Sequence, residues 1–72
     1  MHDDRIVEVG RLEAAWGAEL TLQEIVRAEG AALLRLRIRQ GRRFTDVELA
    51  PSAARELAGL LQEWAERTPG GE

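Results

Sequence analysis

Residues 33–49, LLRLRIRQGRRFTDVEL, decide the fold of this 72-residue chain. Over the first half of the stretch, aliphatic residues and arginines alternate with a period of two, which is the period of a β-strand. A second alternating run follows, and Gly41 between the two runs suits the first central position of a type II′ turn. The stretch therefore predicts two antiparallel strands, over about 32–39 and 44–49, joined by a two-residue turn.

The type II′ turn determines which residues of the two strands lie opposite each other. On one face it pairs Arg35 with Glu48, Arg37 with Asp46 and Arg39 with Phe44. On the other face it pairs Leu34 with Leu49, Leu36 with Val47 and Ile38 with Thr45. Because one face collects the charges and the other the aliphatic side chains, the register is consistent with a half-buried sheet.

Two further strands are predicted before this hairpin. β-Branched residues favour a first strand over residues 5–12, in which Gly10 indicates a bulge or bend. The second strand, over residues 19–27, breaks its alternation near Gln23-Glu24. A bulge at that point would return Ile25 to the inner face of the sheet.

A helix is predicted after the fourth strand. Pro51 stands at the preferred first helical position, although Ala50 before it offers no side-chain acceptor as a cap. The apolar residues that follow recur at helical spacing and form one stripe, here called the helix stripe: Ala53, Leu57, Leu60, Leu61 and Trp64. Pro69 and Gly70 end the helix.

The order of these elements predicts an α+β fold, in which a four-stranded antiparallel sheet is followed by one C-terminal amphipathic helix that covers one face. Residues 1–72 form a single small domain, with an ordered core over about 5–67 and a flexible tail over 68–72. The chain has no cysteine, and much of its hydrophobic content is alanine. Burial within one chain is therefore modest, and a homodimer is expected.

Several classes of function are not expected. The only histidine, His2, lies in a terminus expected to fray, and there is no Gly-rich phosphate loop, metal-ligand spacing or Ser/His/Asp set. We therefore expect no enzyme, no cofactor and no metal site. Without a long apolar run or the basic and apolar regions of a signal peptide, a soluble cytoplasmic protein is predicted.

The most distinctive feature is a cluster of five arginines, with no acidic residue, between residues 35 and 43, in a chain of formal net charge −3. Guanidinium groups suit phosphate and carboxylate ligands, and single-stranded nucleic acid needs aromatic platforms as well. The candidate nucleic-acid-binding residues are Arg35, Arg37, Arg39, Arg42, Arg43, Phe44 and Trp16.

The alternative is a solvated sheet face on which Asp46 and Glu48 neutralise Arg37 and Arg35. Arg39, Arg42 and Arg43 have no acidic partner in the predicted hairpin, so they are the stronger candidates for binding an anion.

Each aromatic residue also has two interpretations. Trp16, in the turn before the second strand, is either a stacking platform or a ring folded over the edge of a small core. Phe44 either stacks on Arg39 or serves as a platform for a base. Trp64 lies on the helix stripe and is expected in the core or in a dimer contact.

Three segments resemble a known family. They are Trp16-Gly17-Ala18-Glu19-Leu20-Thr21-Leu22, Leu36-Arg37-Ile38-Arg39 and Val47-Glu48-Leu49-Ala50-Pro51. Their order and spacing, over roughly residues 12–66, are similar to those of the positive-cofactor-four-like family of single-stranded-DNA-binding transcriptional coactivators, especially its small bacterial branch.

The resemblance implies a function and an assembly. In that family the curved sheet face binds single strands, and two chains dimerise with their helices packed together. It implies that Trp16 and the arginines lie on or near the binding face, and that the dimer interface contains Leu57, Leu60, Leu61 and Trp64. The expected partner is single-stranded DNA or RNA. The alternative function is an accessory dimer that binds an acidic protein partner and no nucleic acid.

Overall fold

The computed structural model describes residues 4–70. Four strands form one antiparallel sheet in sequence order, and one helix follows, which confirms the predicted α+β class. Every predicted strand boundary lies within one residue of the observed one. The elements are β1 (Arg5–Glu13), a 3₁₀ turn (Ala15–Gly17), β2 (Glu19–Val26), β3 (Ala32–Gln40), β4 (Arg43–Leu49) and α1 (Pro51–Glu66).

The β3–β4 hairpin has the predicted register. Arg35, Arg37 and Arg39 lie opposite Glu48, Asp46 and Phe44, and the three aliphatic pairs also form. Gly41 has φ +62° and Arg42 is not among the residues with positive φ, as a type II′ turn requires. The two faces of the sheet therefore differ as predicted: we call them the arginine face (Arg35, Arg37, Arg39) and the helix face (Leu34, Leu36, Ile38).

Of the two predicted irregularities, the one in β1 forms and the bulge in β2 does not. β2 pairs with β3 without interruption from Glu19 to Val26, whereas the β1–β2 register shifts between Glu8 and Gly10. Gly10 thus marks a bulge as its position in the sequence indicated, and the expectation of a second bulge near Gln23-Glu24 is wrong.

Ile25 consequently lies on the arginine face. Because β2 keeps its alternation, Ile25 stands opposite Ile6 on one side and Leu33 on the other. It is 4% exposed and is one of two buried apolar residues, with Ala18, in the described part of the chain. A small apolar cluster at this end of the arginine face removes the need to turn Ile25 towards the helix.

The helix α1 packs on the helix face near β3 and β4. A cavity of about 160 Å³ lies between helix and sheet. Its lining is entirely apolar and consists of Leu22, Leu34, Leu36, Leu49, Ala54, Leu57, Ala58 and Leu61. The aliphatic residues of β3 and one edge of the helix stripe, at Leu57 and Leu61, therefore hold α1 to the sheet.

The helix covers only part of this face, so the expectation that it covers a whole face holds for the β3–β4 half alone. Val7 and Leu12 of β1, on the same face, remain about half exposed. On the helix itself, Leu60, Leu61 and Trp64 are 57–60% exposed. More than half of each of these three side chains is therefore left exposed among residues 4–70.

The end of α1 follows the predicted stop. The Thr68 hydroxyl donates a hydrogen bond to the carbonyl of Trp64 at 2.7 Å, and Pro69 comes next. Residues 1–3, including His2, and residues 71–72 of the predicted flexible tail lie outside the described residues. Within residues 4–70, no helix has the length and apolar character needed to cross a membrane.

Candidate nucleic-acid interface

The arginines of β3 project together from the arginine face, on the side of the sheet opposite α1. β3 is an inner strand, and both of its neighbours carry acidic side chains on this face. The availability of each guanidinium group therefore depends on the residues beside it in β2 and β4.

Arg37 is the most tightly paired of the three. Its Nε and Nη2 atoms donate to the two carboxylate oxygens of Asp46, both at 2.9 Å. This bidentate contact, mainly through its hydrogen bonds, lowers the pKa of Asp46 and raises the pKa of Arg37. Both donors on this edge of the guanidinium are thus already occupied.

Arg35 is the least accessible of the three. Its side chain is 23% exposed, and its Nη2 atom lies 3.6 Å from Glu48. Its Nε atom is buried without a hydrogen-bond partner, as is Oε1 of Gln23, which stands opposite Arg35 in the β2–β3 register. Arg35 therefore contributes little surface to any ligand.

Arg39 has an acidic partner, which contradicts the expectation that it would be free. Its Nη2 atom lies 3.2 Å from Glu19 Oε1, and Nε donates to the same oxygen at 3.3 Å. Glu19 is the β2 residue directly opposite Arg39. The β3–β4 register alone could not show this pair, but the same pairing analysis applied to the β2–β3 hairpin would have found it.

Further ion pairs extend across the sheet. Arg11 lies 3.2 Å from Glu8 and 3.7 Å from Glu19, and Arg27 next to β2 lies 3.7 Å from Glu48. The strands place four arginines and five carboxylates on the arginine face. They are Arg11, Arg35, Arg37 and Arg39 with Glu8, Glu13, Glu19, Asp46 and Glu48. The strand residues of this face therefore form a network of mixed charges with no excess of positive charge.

A different group of candidate residues lies at one end of the sheet. The β1–β2 and β3–β4 turns are at the same end because the strands are antiparallel and adjacent in sequence order. We call this region the turn end and define it as Trp16, Arg42, Arg43 and Phe44. These four side chains are all exposed.

Trp16 is fully exposed, so the interpretation of a ring folded over the core edge is wrong. Its backbone has φ +57° and ψ +37°, in the left-handed region, and it is the one non-glycine residue with positive φ within residues 4–70. Gly17 follows with φ +76°, and a hydrogen bond from Ala14 N to Ala18 O at 2.7 Å closes the turn. The turn therefore directs the ring away from the sheet edge.

Phe44 lies on the arginine face and is 58% exposed. The guanidinium carbon of Arg37, its diagonal neighbour, lies 5.5 Å from the ring centroid. The predicted stacking on Arg39 is not formed, since Glu19 draws that guanidinium towards β2. One side of the Phe44 ring consequently remains open to a ligand.

Arg42 and Arg43 have no carboxylate within 4.0 Å among residues 4–70. Arg42 is in the turn itself. Arg43 pairs with Gln40, so alternation places it on the helix face, away from the β3 arginines with which it was grouped as a candidate. Both nevertheless lie at the turn end, where a ligand can reach either side of the sheet.

No group of three or more histidine, aspartate or glutamate side chains in the described residues is arranged to hold a metal ion.

Comparison with known proteins identifies one family. The family of unknown function DUF6967 matches residues 3–67, which is most of the chain. The chain belongs to this family. No curated protein and no solved structure matches this DUF6967 chain. The resemblance to positive-cofactor-four-like coactivators therefore stays a prediction.

Proposed function

We propose that the chain is a non-enzymatic binding module that acts as a homodimer and binds single-stranded nucleic acid at its turn end. The observation that carries this proposal is the fully exposed Trp16, at the same end of the sheet as two arginines that have no carboxylate partner within residues 4–70. Phe44 adds a second exposed ring.

Binding to single strands combines positive charge, which follows the phosphates, with aromatic rings on which bases stack. The turn end supplies both in four residues. The centres of the β1–β2 and β3–β4 turns are separated by two strand spacings. Because neighbouring strands lie roughly 4.8 Å apart, the two turns are about 10 Å apart. One short oligonucleotide can therefore contact both turns.

The arginines of β3 have a secondary part in this proposal. Each is within 3.6 Å of a carboxylate oxygen, so a phosphate must compete with an existing ion pair. Arg37 instead holds the Phe44 ring from one side and so orients it. The binding surface that the geometry supports is therefore smaller than the sequence predicted.

The surface of the chain supports the homodimer. A compact chain of 8.0 kDa exposes about 4,450 Å². This chain exposes 6041 Å², and its radius of gyration is 14.3 Å where about 11 Å is usual for its length. If two copies each buried the excess, their interface would total roughly 3,200 Å², which lies in the range of obligate homodimers.

The helix stripe is the surface that this interface would bury. Leu60, Leu61 and Trp64 of α1 are each more than half exposed, and the β1 half of the helix face is uncovered within residues 4–70. A second copy's helix on that half would cover both surfaces at once. Leu57 lies at the junction, because it already lines the cavity between α1 and the sheet.

A titration of labelled oligonucleotide, followed by fluorescence anisotropy, tests the binding proposal. Two phosphates neutralised by Arg42 and Arg43 give a log–log salt slope of about −1.4, or roughly sevenfold weaker binding between 50 and 200 mM salt. Five neutralised phosphates would give a slope of about −3.5. The slope therefore distinguishes the turn end from the whole arginine cluster.

Charge reversal supplies the matched control. Arg42→Glu and Arg43→Glu are expected to abolish binding, whereas Arg55→Glu makes the same charge change on the exposed surface of α1 and is expected to leave it intact. No binding by the wild type at 50 mM salt and micromolar protein would reject the proposal.

A second candidate function is an accessory dimer whose turn end docks an acidic protein. The mixed charges of the arginine face and the net charge of −3 favour it, because both weaken attraction to a polyanion. In that case Arg42→Glu removes a protein partner from a pull-down, and the wild type shows no oligonucleotide binding to lose.

A further inference from the structure

The outer side of β1 meets no other strand within residues 4–70, because β1 is the first strand of the open sheet. It is nine residues long and presents a row of unpaired backbone donors and acceptors. Four large apolar side chains of this strand are 51–60% exposed: Ile6, Val7, Val9 and Leu12. Such a strand is unusual at a solvent-exposed edge.

The apolar residues of β1 lie on both faces of the sheet. Ile6 stands opposite Ile25 on the arginine face, while Val7 and Leu12 lie on the helix face. A second copy on the helix face would leave Ile6 uncovered. A strand paired to the outer edge of β1 would bring side chains next to these residues on both faces, because directly opposite residues lie about 4.5–5.5 Å apart.

The bulge gives β1 an unusual symmetry. Because the register shifts between Glu8 and Gly10, Glu8 and Arg11 lie on one face, and Val7 and Leu12 lie on the other. Glu8 and Arg11 already contact each other at 3.2 Å within the strand. If β1 is rotated by 180° about an axis perpendicular to the sheet, Glu8 therefore takes the position of Arg11, and Leu12 takes the position of Val7.

We propose that the β1 edges of two copies of this chain pair antiparallel about a two-fold axis perpendicular to the sheet. Val7 lies opposite Leu12 of the second copy, and Glu8 lies opposite Arg11 of the second copy. The symmetry forms each pair twice, and the two sheets become one sheet of eight strands.

Neighbouring registers are less complementary. A shift by two residues in one direction places Glu8 opposite Glu13 of the second copy, where like charges repel. The opposite shift places Arg11 against Ile6. The proposed register sets Ile6 opposite Glu13 of the second copy. Of the three registers, however, it is the one in which both Glu8–Arg11 charge pairs and both Val7–Leu12 apolar pairs form.

This edge pairing uses different residues from the helix stripe. If both interfaces form and their two-fold axes cross at right angles, four chains assemble, with four times the 8.0 kDa mass of one chain. If only the edge pairing forms, two chains assemble. Failure of the helix interface or of nucleic-acid binding therefore does not remove this inference.

Charge reversal and charge exchange test the pairing by sedimentation at matched concentrations. Glu8→Arg replaces two opposite-charge pairs by two like-charge pairs and is expected to weaken the association about tenfold or more. At protein concentrations below the weakened Kd, the measured mass then falls towards half. The double variant Glu8→Arg/Arg11→Glu exchanges the charges and is expected to restore the mass. Because the exchange also restores the contact between residues 8 and 11 within one strand, the far-UV circular dichroism of Glu8→Arg is measured as well. It is expected to match the wild type, whereas loss of the fold would change it.

Cysteine pairs test the register directly, because the chain has no cysteine of its own. Val7→Cys/Leu12→Cys is expected to give a disulfide-linked dimer on a non-reducing gel, since directly opposite residues lie within disulfide range. Val7→Cys alone is the control and is expected to stay unlinked, because Val7 does not face its own copy.

Two results overturn the pairing. One is a Glu8→Arg variant with the same mass as the wild type. The β1 edge would then bind a strand from another protein or stay exposed to solvent. The other is equal cross-linking of the single and the double cysteine variants.

Discussion

Trp16 is held in the left-handed region of backbone space with its ring entirely in solvent. For a non-glycine residue this conformation costs roughly 1–2 kcal/mol, and an exposed ring regains nothing through burial. Gly17 beside it also has positive φ, so the turn could be built by smaller residues. The cost is therefore consistent with a ring that acts on a ligand.

Two substitutions separate the backbone of Trp16 from its ring. Trp16→Gly is expected to stabilise the fold by about 1 kcal/mol, because glycine adopts positive φ without strain. Trp16→Ala keeps the strain and is expected to leave the free energy of unfolding nearly unchanged. Urea denaturation measures both. Loss of more than about 2 kcal/mol in the alanine variant would show that the ring packs against the fold.

The Arg37–Asp46 contact makes a pH-dependent contribution to stability. The folded pKa of Asp46 is lowered, so this contribution is present above the ordinary carboxyl pKa of 3.8 and is lost as the pH falls through the lowered value. Asp46→Asn is therefore expected to have a smaller free energy of unfolding than the wild type at about pH 7. On acidification to about pH 3, its free energy of unfolding is expected to fall by less than that of the wild type.

The control for this pH effect is Glu13→Gln, which removes an exposed carboxylate of β1 that forms no ion pair within residues 4–70. Denaturation midpoints of the three proteins at both pH values give the comparison. Equal acid sensitivity in the wild type and Asp46→Asn would contradict a special role for this contact.

Among the elements, α1 shows which helix boundaries the local sequence predicts. Pro51 begins the helix as its position predicts, and Ala50 is the N-cap without a side-chain hydrogen bond. The last turn is closed by Thr68, so only the first turn lacks a side-chain partner. The start of α1 is therefore a weak point of the fold.

A better cap should strengthen this start. Ala50 has extended backbone angles, φ −72° and ψ 161°, which suit an N-cap. Ala50→Ser is expected to stabilise the chain by about 1 kcal/mol through a hydrogen bond to a first-turn N–H group. Ala65→Ser, in the last turn, controls for composition and is expected to be neutral or slightly destabilising. Thermal unfolding of both variants measures the difference.

On the scale of the whole molecule, the main feature is the small amount of burial. Only Ala18 and Ile25 are buried among the described residues, and the molecule extends 49 × 30 × 15 Å. One helix over half of one face cannot enclose a core of normal size. Stability should therefore depend on association with further copies.

This dependence is directly measurable. If unfolding is coupled to dissociation, each tenfold dilution is expected to lower the Tm by about 3–6 °C. Calorimetry over a hundredfold range of protein concentration tests it. A Tm that does not change with concentration, together with the mass of one chain in sedimentation, would contradict the homodimer.

The alternation of β3 and β4 and the glycine between them determined the strands, the hairpin register and the two faces of the sheet without reference to the rest of the chain. The helix start at Pro51 is equally local. These features depend on interactions between residues close in sequence, in which backbone period and turn geometry leave few alternatives.

The tertiary structure alone decided what lies beside these elements. Arg39 meets Glu19, twenty positions earlier, because a second hairpin places β2 against β3. The exposure of Trp16 depends on an unusual backbone conformation that its residue type does not predict. The uncovered half of the helix face depends on where α1 crosses the sheet. Each of these results is set by contacts between segments distant in sequence, so the periodicity of one segment cannot predict them.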